Sequence, residues 1–262
     1  MLFDCHLHST ISPDGQSPIL DVCRSAVRKG ASVICFTEHF DLNPADSGNR
    51  YYNHEKFISE INQAKSLFSG KIEILFGIEF SEPHQYPIEF GEMRNKGFDF
   101  ILGSVHAIAD TWAGAEDLLL KYSPEEVFNL HYEETLRMVE FGGFDALAHM
   151  DFPRRFLEAQ QEPDDLIRGI LSTIIRSNIA LELNSSPLRK GKEFSLPSPA
   201  ILQKYEDLGG KHVTMGSDAH HADEICSGFE HLAAQAAAHH LVPVIYRGRK
   251  PYPIKKSETY FS

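Results

Sequence analysis

Residues 33–39 read VICFTEH: an almost wholly apolar run from Val33 to Thr37, followed directly by Glu38 and His39. The run shows none of the alternation between apolar and polar residues that marks a strand with one face in water. It therefore predicts a β-strand buried on both faces, as the strands of parallel sheets are. The acidic residue and the histidine at its end predict polar chemistry at the carboxyl end of that strand.

Six further apolar runs predict strands of the same kind, at Leu2–His6, Ile72–Phe80, Phe98–Val105, Asp145–His149, Ala180–Asn184 and His212–Gly216. Segments with helical spacing of apolar residues lie between them, at about 18–29, 54–68, 124–141, 163–177, 198–208 and 223–239. Ser17 and Ser123 are the expected N-caps of the first and third helices. The longest irregular stretches, about 41–53, 82–95 and 107–122, each follow a strand.

This alternation of strands and helices predicts an α/β fold with a parallel sheet. Seven such units favour a barrel over an open sheet, and neither GxGxxG nor GxxxxGK[ST] is present to support a nucleotide-binding open sheet. No linker or repeat interrupts the chain, so a single domain over residues 1–262 is expected. In barrels, the loops that follow the strands form the active-site face.

Composition narrows the function. The chain has 37 acidic against 25 basic residues and a net charge of −12, which disfavours nucleic acid as a partner. No signal peptide and no apolar run of membrane-spanning length is apparent, so we expect a cytoplasmic protein without a membrane partner. The basic residues between 247 and 256 are expected to form a solvated tail. The oligomeric state is left open.

Residue types that bind metals follow every predicted strand except the sixth. They are His6 and His8, His39, Glu79, His106, His149 with Asp151, and Asp218 with His220. Residues i and i+2 of a strand point the same way, so His6 and His8 converge, as do Asp218 and His220. Asp14, in a Pro-Asp-Gly turn, can reach back from the first loop. The pattern predicts a metal site at the carboxyl ends of the strands.

The order of these motifs resembles the PHP (polymerase and histidinol phosphatase) superfamily over nearly the whole chain. The motifs are HxH at 6–8, TEH at 37–39, the isolated Glu79, SVH at 104–106, AHMD at 148–151 and SDAH at 217–220. The PDG turn at 13–15, the NSSPLRK segment at 184–190 and the RGRKP segment at 247–251 are similar to the histidinol-phosphate phosphatase branch.

The resemblance implies a distorted (β/α)7 TIM-like barrel that holds three divalent transition-metal ions, Zn, Mn, Fe or Co. It implies that the first ion binds His6, His8, Glu79 and Asp218. The second would bind Glu79, His106 and His149, with Glu79 bridging the two ions. The third would bind Asp14, His39 and His220. The implied substrate is L-histidinol phosphate, hydrolysed to L-histidinol and phosphate in histidine biosynthesis.

The charges of such a site favour a phosphate monoester. Three divalent cations, three carboxylates and one bridging hydroxide leave about two positive charges for a dianion. The expected reaction is attack of the metal-bridging hydroxide on phosphorus, with Glu79, Asp218 and His220 as the catalytic residues. Four residues are expected to contact the substrate, because they follow the fifth and sixth strands: Asp151, Arg154, Arg155 and Arg189. For Asp151 the alternative is that it orients His149, with which it shares a face of the strand.

Three alternatives stay open at this point. A phosphodiesterase or exonuclease of the same superfamily would need a basic or aromatic track for its second ester group. Another small-molecule phosphatase would share the metal site and differ in the substrate pocket. A metal-binding scaffold without activity is the non-enzymatic alternative, and it would be favoured by the loss of a ligand residue.

Overall fold

The computed structural model describes residues 1–108, 110–158 and 161–254. The strands in these ranges are β1 (Leu2–Leu7), β2 (Ala31–Phe40), β3 (Glu73–Ser81), β4 (Phe100–Ser104), β5 (Ala107–Ile108), β6 (Thr111–Trp112), β7 (Ala146–Leu147), β8 (Ala180–Asn184), β9 (His212–Gly216), β10 (Val242–Arg247) and β11 (Lys250–Pro253). The helices are α1 (Ile19–Arg28), α2 (His54–Leu67), α3 (Pro87–Arg94), α4 (Glu116–Leu119), α5 (Pro124–Phe141), α6 (Asp164–Arg176), α7 (Ser186–Arg189), α8 (Pro199–Asp207) and α9 (Phe229–Ala238).

The main sheet pairs its strands in parallel and in chain order, from β1 through β2, β3, β4, β7 and β8 to β9. Each of these strands overlaps one of the predicted runs, so the predicted parallel α/β architecture is confirmed. The run from Ile34 to Phe36 is fully buried, as expected for a strand covered on both faces. Parallel order places every strand's carboxyl end at the same edge.

The two outer strands of this series meet at that edge. Leu7 at the end of β1 forms a parallel bridge with Ala219, and the Asp218 amide donates to the His6 carbonyl at 2.8 Å. The buried carboxylate of Asp4 adds a second tie, because it accepts hydrogen bonds from the Ser217 and Cys226 amides at 2.9 and 2.8 Å. Among the described residues, this short contact and not a continuous ladder joins β1 to β9, which makes the barrel distorted.

Helix α5 begins as its sequence predicts. Pro124 lies in the first turn, the Ser123 side chain accepts from the Glu126 amide, and the Glu126 carboxylate accepts from the Ser123 amide. Helix α1 differs from its prediction: Pro18 is its N-cap and Ser17 does not cap it. The Ser17 hydroxyl instead accepts from the Ala222 amide at 2.9 Å, so a contact with a distant loop takes the place of the cap.

Two predictions about the connections are wrong. The stretches 82–95 and 107–122 are not irregular, because the first contains α3 and the second contains the β5–β6 hairpin and α4.

The helix predicted over 223–239 is interrupted. A short 3-10 turn covers Ala222–Glu224, and α9 begins only at Phe229. Between them Cys226 and Gly228 adopt positive φ values of 55° and 75°, which a continuous helix does not allow.

The C-terminal strands continue the main sheet, because β10 pairs in parallel with β9. Strands β10 and β11 form an antiparallel hairpin, and Arg247 binds both Glu73 oxygens at 2.6 Å. Arg249 donates to the buried Asp145 carboxylate and to the Gly143 carbonyl. The prediction of a solvated tail is therefore wrong for Arg247 and Arg249. Lys250, the first residue of β11, is exposed as that prediction expected, and Lys255 and Lys256 lie outside the described residues.

No helix in the described ranges combines the length and the apolar character needed to cross a membrane.

The ion pair between Arg249 and Asp145 should contribute measurably to stability, because the Asp145 side chain is only 7% exposed. Arg249→Ala is expected to lower the free energy of unfolding by about 2 kcal/mol, since it leaves a buried carboxylate without its cation. Urea denaturation measures the change. Arg24→Ala is the control, because Arg24 and its partner Asp21 are both more than half exposed. Equal losses in the two variants would contradict the assigned role of the pair.

Candidate metal centre

The carboxyl ends of the strands enclose a cleft of about 720 Å³. Seven of the nine predicted metal ligands line it, namely Asp14, His39, Glu79, His106, His149, Asp218 and His220. The other two, His6 and His8, are 0% and 1% exposed and lie beneath the cleft floor against Glu79. The structure therefore brings all nine predicted residues together.

Glu79 lies at the centre of this cluster and is itself 0% exposed. Strand β3 carries it between β2 and β4, so neighbouring strands deliver side chains to both of its oxygens. Three imidazoles face Oε2: His6 Nε2 at 3.2 Å, His8 Nε2 at 3.5 Å and His39 Nδ1 at 3.0 Å. Two imidazoles face Oε1: His106 Nε2 at 3.3 Å and His149 Nε2 at 2.9 Å.

A second carboxylate, Asp218, extends the cluster towards the rim of the cleft. Its Oδ1 lies 3.5 Å from His8 Nε2 and 3.8 Å from His6 Nε2. At the rim, His220 Nε2 lies 3.0 Å from Asp14 Oδ2, and His39 Nε2 lies 3.7 Å from Asp14 Oδ1. The nitrogen and oxygen atoms of these nine residues that could bind metal therefore extend without a gap from the buried floor of the cleft to its solvent-exposed rim.

These donors fit divalent cations. Several triads place one ligand atom from each member within 4.8 Å of the others: His6–His8–Glu79, His39–Glu79–His106, His6–His149–Asp218 and His8–His39–His220. Among the described residues, His8 Nε2 and His39 Nδ1 are buried without a hydrogen-bond partner, although each faces a Glu79 oxygen. When an imidazole nitrogen and a carboxylate oxygen bind the same cation, they lie close together without forming a hydrogen bond, as these atoms do. The assignment of ligands to three separate ions stays a prediction, because the triads share residues.

Electrostatics within the cluster follow from its burial. Burial alone would raise the pKa of Glu79, but the imidazoles of His6, His106 and His39 hold it well below the usual value. Burial would also lower the pKa of His39, yet the Glu79 carboxylate raises it to about 9. The pKa of His8 falls well below its usual value, because burial and the neighbouring imidazoles both oppose a further charge. The carboxylates thus stay ionised and available as ligands.

Glu182 on β8 is a residue of the site that the sequence analysis missed. Its Oε1 lies 2.6 Å from His6 Nδ1, and its Oε2 accepts from the His149 amide at 2.8 Å. The sixth predicted strand thus contributes a carboxylate too, but through its middle and not its end. The available signal was an acidic residue inside the apolar run ALELN, which a strand buried on both faces tolerates only with a partner.

Cationic side chains line one wall of the cleft, among them Arg155 and Arg189, for which contact with the substrate stays a prediction. Arg155 donates to Asp218 and lies 4.7 Å above the Phe152 ring. Arg189 donates to the Ser217 and Asp218 carbonyls. Lys190, which the sequence analysis did not single out, also lines the cleft, at its exposed edge. Burial and the cation Arg155 lower its pKa.

Arg154 and Asp151 do not lie where their prediction placed them. Neither lines the cleft: Asp151 is 0% exposed and accepts from the Ser198 amide at 2.9 Å and from Arg154 at 2.8 Å. Arg154 also pairs with Glu162. The cause is the 3-10 turn over Phe152–Arg155, which points the adjacent side chains of Arg154 and Arg155 in different directions. We therefore correct both predictions: these residues brace the turn.

Comparisons with known proteins agree with this architecture. A family model described as PHP domain matches residues 4–186. A probable histidinol-phosphatase of Clostridium acetobutylicum is 30% identical over 95% of this chain and 98% of its own length. One from Thermotoga maritima is 29% identical over 97% and 99%. A crystal structure of histidinol phosphate phosphatase from Lactococcus lactis, complexed with Zn, L-histidinol and phosphate, superposes with a TM-score of 0.84 at 24% identity, covering 96% of this chain and 98% of that one.

The floor of the site should tolerate no added atom at Gly216, the last residue of β9. A Cβ there would lie 2.5 Å from Glu182 Oε1 and closer still to the His6 Cβ. Gly216→Ala is expected to lower the free energy of unfolding by about 1–3 kcal/mol through overpacking. Gly91→Ala in α3 is the control, because its Cβ meets nothing within 4 Å, and it should be neutral or slightly stabilising. Urea denaturation compares the two; a neutral Gly216 variant would contradict this packing.

Proposed function

Because the chain belongs to the PHP domain family, we propose that it is a metal-dependent phosphomonoesterase that hydrolyses L-histidinol phosphate to L-histidinol and phosphate. The observation that carries the proposal is the buried Glu79, which faces five imidazoles at the floor of a cleft with a cationic wall. Such a floor suits several divalent cations, and such a wall suits a phosphate.

The proposed cofactors are three divalent transition-metal ions. Imidazoles outnumber carboxylates among the nine donors, which favours Zn, Mn, Fe or Co over the oxygen-seeking Mg and Ca. When bound, these cations supply a water of lowered pKa as nucleophile and positive charge for the phosphoryl oxygens. Glu79 is proposed to hold ions through both of its oxygens, with His6 and His8 below it and His106 and His149 beside it.

The residues of the wall are proposed to orient the phosphate. Arg155 and Arg189 keep part of their guanidinium donors engaged with Asp218 and with backbone carbonyls, which fixes their positions before substrate arrives. Lys190 has no ion pair with a carboxylate among the described residues, so its ammonium is free to pair with a phosphoryl oxygen. Together they favour a dianionic monoester.

Asp218 and His220 are proposed to assist the leaving group. Both line the cleft, and His220 is held between Asp14 at 3.0 Å and the Asp218 carbonyl, which lies 3.0 Å from its Nδ1. The departing alkoxide of histidinol would take up charge or a proton with the help of the third cation, or of Asp218 or His220 beside it. The described residues hold these groups at the rim, where the alcohol part of the substrate would leave.

Two observations support histidinol as the alcohol part of the proposed substrate: the names of the relatives and the size and lining of the cleft. Both curated relatives described above are named as probable histidinol-phosphatases. The cleft volume of about 720 Å³ lies in the range of small-molecule sites. Trp112 and Phe156 line the cleft with ring centroids 4.9 Å apart and offer an aromatic surface to an imidazole ring. A single domain over 1–262 and a cytoplasmic location stay predictions.

Metal dependence and substrate class can be tested in one assay of phosphate release. We expect turnover of histidinol phosphate, loss of turnover on removal of metal by a chelator, and recovery with Mn²⁺ or Zn²⁺. His6→Ala and Glu79→Ala should each reduce kcat by at least about a thousandfold, because they remove ligands from the floor. His240→Ala, at a side chain that is 81% exposed, is the matched control.

Two outcomes of this assay would reject the proposal. Full activity of chelator-treated protein that elemental analysis shows to be free of metal would remove the metal mechanism. A strong preference for a phosphodiester or an oligonucleotide would favour the diesterase alternative over the monoesterase.

The wall cation Lys190 gives a separate prediction. Lys190→Ala should raise KM for histidinol phosphate by about tenfold to a hundredfold and change kcat less, since it removes a charged contact to the phosphate. Lys192→Ala is the control, because Lys192 lies in the same loop and is equally exposed but is not among the residues that line the cleft. Steady-state kinetics measure both. An unchanged KM in the Lys190 variant would exclude this residue from the substrate site.

A further inference from the structure

We propose that three buried carboxylates, Glu38, Asp41 and Glu182, fix the tautomers of three histidines of the metal centre. Two of them act through a serine hydroxyl, Ser12 or Ser81, and Glu182 acts directly. We call these contacts the carboxylate relays. They are positioning devices that act through the histidines, although Asp41 also lines the cleft. The inference rests on the proposed metal centre, because its purpose is to present the other ring nitrogen of each histidine to a cation.

The first relay joins Glu38 to His8. The Ser12 hydroxyl donates to Glu38 Oε2 at 2.6 Å and lies 3.2 Å from His8 Nδ1. It also accepts from the His39 backbone amide at 2.9 Å. Ser12 and Glu38 are 1% and 0% exposed, so water does not compete for these bonds. A hydroxyl has one proton, and the carboxylate takes it. Ser12 can then only accept from His8, which places the imidazole proton on Nδ1.

The second relay joins Asp41 to His106 in the same manner. The Ser81 hydroxyl donates to Asp41 Oδ1 and lies 2.9 Å from His106 Nδ1. Ser81 and Asp41 are 1% and 6% exposed. His106 Nδ1 is thereby set as the donor to Ser81. Its Nε2 faces Glu79 Oε1 at 3.3 Å.

The third contact is direct and joins two strands. Glu182 Oε1 lies 2.6 Å from His6 Nδ1, while Oε2 accepts from the His149 amide and from the Asn184 side chain at 3.1 Å. His6 Nε2 therefore faces Glu79 Oε2 at 3.2 Å. In all three cases Nδ1 contacts the outer carboxylate directly or through a serine hydroxyl, and Nε2 points towards Glu79.

The arrangement matters because the opposite tautomer would place a proton on Nε2. That nitrogen would then donate to Glu79 and could not bind a cation. A carboxylate or hydroxyl on the far nitrogen also makes the imidazole a stronger ligand and holds its ring in place. The serine relays achieve this without bringing a second carboxylate into direct contact with the ring.

Ser12→Ala and Ser81→Ala test the relays separately. Each should weaken Mn²⁺ binding by about tenfold to a hundredfold, measured by competition with a chromogenic chelator. Ser12→Thr keeps the hydroxyl and should restore most of the affinity. Ser25→Ala is the matched control, because Ser25 is equally buried and its hydroxyl has no hydrogen-bond partner among the described residues. It should leave Mn²⁺ binding unchanged.

A spectroscopic readout separates positioning from general loss of stability. Long-range ¹H–¹⁵N correlation spectra of the Zn²⁺-loaded protein should show His8 and His106 protonated on Nδ1. Ser12→Ala should speed exchange of the His8 Nδ1 proton with water and spare that of His106, and Ser81→Ala should do the reverse. A wild-type His8 or His106 with its proton on Nε2 overturns the inference, even if a variant fails to fold.

The other outcomes are also decisive. Unchanged Mn²⁺ affinity in both serine variants overturns the relays while leaving the metal centre intact. If the wild-type protein binds neither Mn²⁺ nor Zn²⁺, the proposed metal centre fails, and the tautomer of His8 in the metal-free protein still decides the first relay.

Discussion

The contact on which the site depends is that between the Glu79 carboxylate and the imidazoles around it. A carboxylate with no exposure to water is costly unless positive charge or hydrogen-bond donors surround it. Five imidazoles meet this need within 3.5 Å. Because they come from β1, β2 and the segments after β4 and β7, the charge of one residue constrains the relative positions of several strands.

The parallel barrel explains how such a cluster can form. When every strand runs the same way, all carboxyl ends lie at one edge and short loops can carry further ligands over it. The distorted closure between β1 and β9 adds to this, because the backbone bond from Asp218 to His6 and the Asp4 carboxylate set the last ligand pair beside the first. The contact between β1 and β9 therefore also places ligands of the site next to one another.

Around the cluster lies a second layer of buried carboxylates, Glu38, Asp41 and Glu182, which contact histidines or serines. The imidazoles of the site thus lie between two sets of carboxylates. The inner set is Asp14, Glu79 and Asp218, and the outer set, which we call the outer ring, is Glu38, Asp41 and Glu182. The inner set faces the cations proposed to bind there, and the outer ring orients the imidazoles. This division explains why so many acidic residues are buried near one another in a net-acidic chain.

Much of this could be read from the sequence. The unbroken apolar runs predict buried parallel strands, and the histidines and acids at their ends predict a metal-binding edge, since strand direction alone brings those ends together. Errors arose where tertiary contacts replace local preference. Ser17 bonds to a loop some 200 residues away instead of capping α1, and the helix predicted over 223–239 breaks where Cys226 bonds to Asp4.

The sequence by itself determined the order of strands, the residue types at their carboxyl ends and the edge at which these residues meet. Only the tertiary structure decided which neighbour of a pair faces the cleft, as with Arg155 and Arg154, and which buried acids orient the histidines. The physical reason is that these outcomes depend on contacts between residues far apart in the chain, such as Glu182 with His6. Such contacts leave no periodic pattern in the sequence around either partner.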